Sequence, residues 1–454
     1  MPIPFLITGE LPDSQMTDSN LPDSNPPDVI TTHQLSNGMT VLIQPMPWLR
    51  TAAITLSLRG GIAREASEQS GLASLVCEMV QRGAGRYSSR DLVAVQDNLG
   101  IDRNSGVSTS TVSFGAAMPA DSLAEAISIH ADIVREPHLP ANQLDDARMM
   151  MIQELRATQD EPTQRVMRRI RELLYGPVMG RSGQGTVESL MAMTEKDVRE
   201  FYQQHYHAGG AIFTVAGNVQ TNEVVDLVES AFGDWKTMPP GEPGRPDGQC
   251  VYEHLPAESA QTHIAFAFPS IPYGHRDYFA MRAGIGILSD GMSSRLFDRV
   301  REKRGLCYTV SASCHSLLGA GGVFGYAGTT PARAQETLDV TLGEISQFAS
   351  DLQPDELDRW KVRIESGLIM EQESSSSRAG SLASDFLQIG LPMPTEELSA
   401  IIESLTLADV TDYWQAHPPT DYRIVTLGPE TLAVAQHGIQ TQQPTPEQPT
   451  PEQP

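Results

Sequence analysis

Apolar residues recur at helical spacing in several long stretches of the chain and alternate in several short ones. In SGLASLVCEMVQ, residues 70–81, Leu72, Leu75, Val76, Met79 and Val80 share one face, which predicts an amphipathic helix with Ser70 as its N-cap. The same period predicts helices over 88–99, 120–135, 140–158, 163–174, 195–205 and 221–233. Strand patterns occur in TAAITLSL (51–58), in IFTVAG ending at Gly217, in THIAFAF (262–268) and in RIVTLG ending at Gly428. THQLSNGMTVLIQ reads as a hairpin turning at Asn37-Gly38. Met149, Met150 and Met151 are expected to fill core space. Ser374 to Ser377 reads as a loop or helix break. Tyr202, His205, Tyr206 and His207 close a helix and are expected to cap or pack. The glycines at 319–322 read as a hairpin turn, since they lack the Lys-Ser/Thr ending of a phosphate loop.

The patterns repeat. TAAITLSL has its counterpart in THIAFAF 211 residues later, and IFTVAG has its counterpart in RIVTLG at the same offset. The helical LDDARMMMIQEL (144–155) returns as LDRWKVRIESGL (357–368), 213 residues on. Pairs in one order at nearly one offset imply a duplication. The expected fold is α+β, with two homologous sandwich domains, each a mostly antiparallel sheet with helices packed on one face. The halves would run from 29 to 240 and from 241 to 435, joined through the linker-like PPGEPGRPDGQ at 239–249. Residues 1–28 and the repetitive 436–454 lack periodicity and apolar content and are expected to be disordered tails.

Charge narrows the function. The chain carries 57 acidic against 32 basic residues, a formal net charge of −25. That argues against nucleic acid and against an anionic membrane surface as partners. No apolar run is long enough to span a bilayer, and the N-terminus has no basic, signal-like start. Four scattered cysteines, Cys77, Cys250, Cys307 and Cys314, show neither disulfide-framework nor zinc-ribbon spacing. A cytoplasmic location is expected.

The polar side of the 70–82 helix carries Ser74, Cys77 and Glu78. Positions 74 and 78 lie one turn apart, the geometry two histidines need to share a zinc ion. GLASLVCEM resembles the zinc-binding segment of the pitrilysin and mitochondrial-processing-peptidase family, the inverted zincins, which usually reads like GLAHFLEHM. The resemblance places the first ligand histidine on Ser74, the general-base glutamate on Cys77 and the second ligand histidine on Glu78. The family's third ligand, a glutamate on a later helix, falls on Glu154, 76 residues beyond Glu78. One ligand of three is therefore present and the base is absent. Serine is a poor zinc ligand beside imidazole, and a hydrolytic site needs a base for its water. Cys77 as a nucleophile fares no better. It sits at mid-helix beside a carboxylate, and no spacing singles out one of His130, His138, His205 and His207 as its base.

A second segment, GMSSRLFDRVREKRGLCYTVSAS (291–313), reads as a helix ending at Gly305 and followed by a strand. On composition alone, Arg301 to Arg304 is a solvated charge run. The segment also resembles the C-terminal signature of the same family. There an arginine and a tyrosine seven residues apart hold the substrate backbone and polarise the scissile carbonyl, and Arg301 and Tyr308 match them. Arg295 and Arg299 are expected to pair with neighbouring acids.

Taken over about residues 30–430, the resemblance implies a half-clamshell around a peptide chamber. It implies a non-catalytic subunit of a heterodimeric zinc metallopeptidase, with no cofactor of its own. Zinc is expected in a homologous partner bearing an HxxEH motif, and the substrate in an unfolded peptide. The glycine-rich loop typical of the processing peptidase's non-zinc subunit is not evident. Two alternatives are an inert structural or interaction protein of the same fold and a divergent hydrolase using Cys77, Glu78 and Glu154. The intact Arg301/Tyr308 pair weighs against the first.

Overall fold

A computed structural model describes residues 29–239, 241, 245–248 and 251–435. The two expected tails, Cys250 and part of the expected linker lie outside these residues.

The N-terminal half builds a six-stranded sheet from β1 (Thr31–Gln34), β2 (Thr40–Pro45), β3 (Thr51–Leu58), β4 (Asp102–Val107), β5 (Val112–Pro119) and β6 (Ile212–Gly217), in the order β1-β2-β6-β3-β5-β4. Its helices are α1 (Leu72–Val80), α2 (Ser89–Asn98), α3 (Leu123–Arg135), α4 (Leu144–Gln159), α5 (Pro162–Met179), α6 (Val187–Ala192), α7 (Glu195–His205) and α8 (Thr221–Phe232). The C-terminal half builds a sheet from β7 (Tyr252–Pro256), β8 (Thr262–Ser270), β9 (Cys307–Leu317), β10 (Ala320–Thr329) and β11 (Arg423–Gly428), in the order β7-β11-β8-β10-β9. Its helices are α9 (Tyr278–Ser289), α10 (Ala334–Ser346), α11 (Pro354–Glu371), α12 (Ser375–Ile389), α13 (Thr395–Ser404) and α14 (Leu407–Ala416). With β1 set aside, the two strand orders are the same: β2, β6, β3, β5 and β4 correspond to β7, β11, β8, β10 and β9. In each sheet one neighbouring pair, β2–β6 or β7–β11, is parallel, and the others are antiparallel. The fold is the expected α+β pair of sandwiches. Among the described residues no helix is long and apolar enough to cross a membrane.

One face of each sheet carries the large side chains. Ile54, Leu56 and Leu58 of β3 pack with Leu75 and Val76 of α1 and Ile127 of α3. Ile264, Phe266 and Phe268 of β8 pack with Leu338 of α10 and Trp414 of α14. The second face of each sheet is covered as well, by a helix from the other half. Val166, Ile170, Leu173 and Leu174 of α5 lie on Ala265 and Ala267 of β8 and Val425 and Leu427 of β11. Reciprocally, Ala379 of α12 lies on Ala53 and Ala216, and Leu382 and Ala383 lie on Leu42 and Ile212. Alanine in β3, β6 and β8 leaves room for a helix backbone to come close, and the Thr214 hydroxyl donates to the Ala379 carbonyl at 2.7 Å.

Some local expectations are corrected. Helix α1 is not capped by Ser70: its N-cap is Gly71 at φ +95°, and the cap is supplied by the Glu65 side chain. Only Met151 fills core space; Met149 and Met150 are 47% and 43% exposed, because α4 turns that side outward. Helix α5 runs on to Met179 through a kink at Gly176, just before Pro177. Of the serine run expected to be a loop or break, only Ser374 lies between α11 and α12, where it caps α12; Ser375 to Ser377 form the first turn of that helix.

Candidate functional site

Helix α1 is positioned by a buried carboxylate. Glu65 Oε1 accepts from the Ala73 N–H at 2.9 Å and Oε2 from the Gly71 N–H at 3.1 Å, satisfying donors that the helix start leaves open. Arg181 Nη1 lies 3.7 Å from Oε2. Burial outweighs these contacts and pushes the Glu65 carboxyl up to about 7. Because its folded pKa lies above the unfolded value, its protonated form favours the fold. That contribution is present in full below about 4.5 and fades as pH rises through about 7. Glu65→Gln is therefore expected to flatten the fall in melting temperature between pH 5 and pH 8, an effect of about 3 kcal/mol at most. Melting curves across that range, parent against variant, check it.

Gly71 also lets the loop at 182–185 lie against the start of α1: a Cβ on Gly71 would stand 3.0 Å from the Gly185 Cα, and one on Gly185 would stand 2.3 Å from the Ser70 carbonyl oxygen. This seats Gly183 and Gln184 opposite Ser74. The outcome is a cleft of about 320 Å3 in which Ser74, Cys77 and Glu78 of α1 meet Glu154 of α4, with Ser105 of β4 on the rim. The structure thus brings together all four positions that the sequence singled out. Arg301 and Tyr308 do not line this cleft.

The four side chains do not fit zinc. Cys77 is 5% exposed, and its thiol is pushed up to about 12, by burial first and by Glu78 in addition, against a hydrogen bond with Ser105. Burial thus favours the protonated thiol, which weighs against Cys77 as a nucleophile. Glu78 Oε1 is engaged by Arg82, through Nε at 3.1 Å and Nη2 at 3.0 Å. Ser74 offers a neutral hydroxyl. Among the described residues, no three His, Cys, Asp or Glu side chains are grouped to hold a metal. Rebuilding the motif with Ser74→His, Cys77→Glu and Glu78→His is expected to create measurable zinc binding with little peptidase activity. Arg82, released from Glu78, would face the new site, so adding Arg82→Gln should tighten zinc further. Calorimetric zinc titration of the parent, the triple variant and the quadruple variant checks this. A triple variant that binds no better than the parent would remove Glu154 from the site.

The second candidate pair sits on two irregular elements. Residues Phe297–Glu302 form a π-helical turn, with the Lys303 N–H donating to the Asp298 carbonyl at 2.9 Å. The chain then reverses through Gly305, at φ +59°, into β9. In the β9–β10 ladder Thr309 faces Gly328 and Cys307 faces Thr329, so Tyr308 is the extra residue of a β-bulge. Tyr308 is 60% exposed. The Arg301 guanidinium rests on the Phe297 ring at 4.6 Å, and its Nε lies 3.9 Å from the Glu302 carboxylate. Its neighbours are held by acids more closely: Arg295 by Glu356 at 2.6 Å, Arg299 by Glu344 at 2.8 Å, Arg304 by Glu344 at 3.2 Å and Lys303 by Asp298 at 2.6 Å. The expected pairing of Arg295 and Arg299 holds.

Three features were not foreseen from the sequence. Glu65 gave no signal, because its partners are backbone groups. Strand β4 lacks apolar alternation, and it forms the sheet's edge, exposed from Asp102 to Gly106 beside the cleft. A larger cleft of about 940 Å3 joins the halves, lined by Glu154, Arg168, Arg171 and Arg181 from the first and Cys314, His315 and Phe324 from the second.

The comparisons agree with the motifs. The sequence profile of the insulinase (peptidase M16) family matches residues 40–179, and that of the peptidase M16 inactive domain matches residues 192–363. An uncharacterized zinc protease of Rickettsia felis is 26% identical over 382 residues, 83% of this chain and 92% of that protein. Another, from Streptomyces coelicolor, is 26% identical over 388 residues, 83% of this chain and 84% of that protein. Among solved structures, a peptidase M16 inactive domain from Pseudomonas fluorescens superposes with a TM-score of 0.81 at 21% identity, over 89% of this chain and 99% of its own. A protease from Helicobacter pylori superposes with a TM-score of 0.79 at 19% identity, over 88% of this chain and 99% of its own. With both halves matched in order and the degenerate α1 motif in its expected cleft, the chain belongs to the M16 peptidase family, the pitrilysin-like proteins that its sequence resembles.

Proposed function

We propose that this chain is the non-catalytic, substrate-holding subunit of a heterodimeric zinc peptidase and that it supplies Arg301 and Tyr308 to a partner's site. The observation that carries the reading is the contrast between its two motifs. At the first, Ser74, a neutral Cys77 and an Arg82-bound Glu78 leave neither a ligand set nor a base. At the second, a cation and a phenol of the family's spacing stand exposed on a π-turn and a bulge, the local distortions that re-aim side chains at functional sites.

The partner, a homologous chain with an HxxEH motif, would hold the zinc that activates water. Arg301 would hold a substrate carbonyl, and the Tyr308 hydroxyl would donate to the oxyanion as it develops. An extended peptide could add to the exposed β4 edge by backbone hydrogen bonds, which suits an unfolded substrate without fixing its sequence. The relatives' printed name, zinc protease, agrees with the family chemistry and leaves open which subunit role each plays.

The purified chain is expected to carry far less than one equivalent of zinc and to cleave no peptide alone, while a co-purifying HxxEH chain restores cleavage. Elemental analysis and peptidase assays on the lone chain and on the pair test this. Zinc near one equivalent, with chelator-sensitive cleavage by the lone chain, would overturn it.

A further inference from the structure

We propose that the pocket at the seam of the two halves is a carboxylate-binding subsite, in which Arg171 and the surrounding hydroxyls take a carboxylate of a peptide lying in the large cleft. The inference rests on the peptide-holding function proposed above and adds to it a chemical preference.

The pocket measures about 280 Å3 and lies between β3, β5, α12, the β4–β5 turn and the β9–β10 turn. It adjoins the 940 Å3 cleft, because Ser108, Thr109, Arg171 and His315 line both. Nine of its lining residues are serine or threonine, and none is aspartate or glutamate. In a chain with 57 acidic and 32 basic residues, an acid-free polar wall is a chemical selection. Several of these hydroxyls belong to residues well removed from solvent, with Ser57, Thr109 and Thr111 buried.

Arg171 is the pocket's one formal cation. Its Nη2 donates to Thr109 Oγ1 at 2.9 Å, and its Nη1 donates to His315 Nε2 at 3.1 Å. His315 must then carry its ring proton on Nδ1, which lies 3.1 Å from the Tyr175 hydroxyl oxygen, and that hydroxyl donates to the His315 carbonyl at 3.2 Å. The chain of bonds fixes the guanidinium in place and keeps the imidazole neutral. Among the described residues no carboxylate meets Arg171. Its nearest arginine neighbours on the helix are paired: Arg168 with Glu172 at 3.7 Å and Arg169 with Glu253 at 2.8 Å. Arg181, further along, has Glu65 at 3.7 Å. A guanidinium has five N–H donors, and three on Arg171 remain for a ligand. A half-buried cation without a counter-ion, held rigid and ringed by hydroxyls, is a receptor for an oxyanion. The wall shared with the large cleft favours one delivered on a peptide, either as its C-terminal carboxylate or as an Asp or Glu side chain.

The test compares three dye-labelled decapeptides of one uncharged sequence by fluorescence anisotropy. One has a free C-terminus, one a C-terminal amide, and one the amide with a single internal Glu. The parent is expected to bind the free acid about tenfold or more tightly than the amide. Arg171→Gln should abolish the preference, and Arg171→Lys, which keeps the charge and loses the fork, should retain part of it. Each preference is a ratio within one variant, so general loosening lowers both affinities together. Recovered affinity in the Glu-containing amide supports a side-chain carboxylate as the ligand; no recovery supports the C-terminus. Equal affinity of the parent for all three peptides would overturn the subsite and leave peptide holding intact. If no peptide binds, succinate is titrated against melting temperature. A rise in the parent that is absent in Arg171→Gln would support the subsite while overturning the peptide reading, and no rise would overturn both.

Discussion

A Tyr308→Phe variant, paired with a zinc-bearing partner, is expected to turn over peptide about 10²–10³-fold more slowly than the parent pair, the usual cost of removing one oxyanion donor. The ring stays and only the hydroxyl goes. Tyr308 is exposed on a bulge, with no hydrogen-bond partner for its hydroxyl among the described residues, so the melting curve should not move. Arg301→Ala should raise KM as well as lower kcat, since a guanidinium can hold a backbone carbonyl in the ground state and in the transition state alike. It also gives up the stacking on Phe297, worth about 0.5–1 kcal/mol at an exposed site, too little to unfold the domain. Zinc content should be unchanged in both variants, because the proposed reading puts the metal in the other chain. The measurements are kcat and KM of the reconstituted pair, beside a melting curve for each variant. Full activity in both would return the two residues to an ordinary charged surface and favour an inert structural protein. Lost activity with a collapsed melting temperature would make them structural.

Cutting the chain into residues 29–239 and 251–435 is expected to abolish cooperative folding of each piece, and co-refolding the two pieces should restore it. The reason is the exchange of α5 and α12. In the isolated first piece Val166, Ile170, Leu173, Leu174 and Met179 lose the sheet they rest on. Each such side chain returned to water costs about 1.5–3 kcal/mol, and five together cost on the order of 10 kcal/mol. That is comparable to the whole stability of an ordinary domain, about 5–15 kcal/mol. The second piece loses β3 and β6 from beneath Ala379, Leu382 and Ala383. Thermal melts and hydrogen exchange on each piece and on the mixture check the expectation. A first piece that melts cooperatively near the parent temperature would show that the exchanged helices are incidental to stability.

The exchange also shows what could be read from the chain without coordinates. Helical period in VMRRIRELLY declares that α5 has a buried face, and any sheet in the molecule would satisfy it. Nothing in the period names the sheet. A partial signal was present: THIAFAF is apolar at both parities, so β8 needs cover on both faces, whereas a one-sided sheet alternates. The helices α1 and α4 that carry the site were legible because they have apolar stripes, whereas the polar edge strand β4 beside them was not. The convergence of Ser74, Cys77, Glu78 and Glu154 was legible through a motif whose spacing survives after its ligands have been replaced. Glu65, Arg171 and the hydroxyl-lined pocket were not legible. Their partners are backbone N–H groups and residues far apart in the chain, and no local pattern encodes such contacts.

Reciprocal lending of a helix bears on how such a chain can originate. A lone ancestral half would carry a sheet with one bare face and a helix with nowhere to lie. Two copies cure both defects at once by trading helices around a two-fold axis, as in domain swapping. Such a half is viable only as its own dimer, and a head-to-tail fusion of the two genes yields the present topology without any new contact. Fusion then frees the copies from identical evolution. Only afterwards can one copy specialise around the α1 cleft and the other around the π-turn and bulge. The hydroxyl-lined pocket, where the β4–β5 and β9–β10 turns meet, takes its single arginine from α5 alone, so the two halves no longer contribute alike to it.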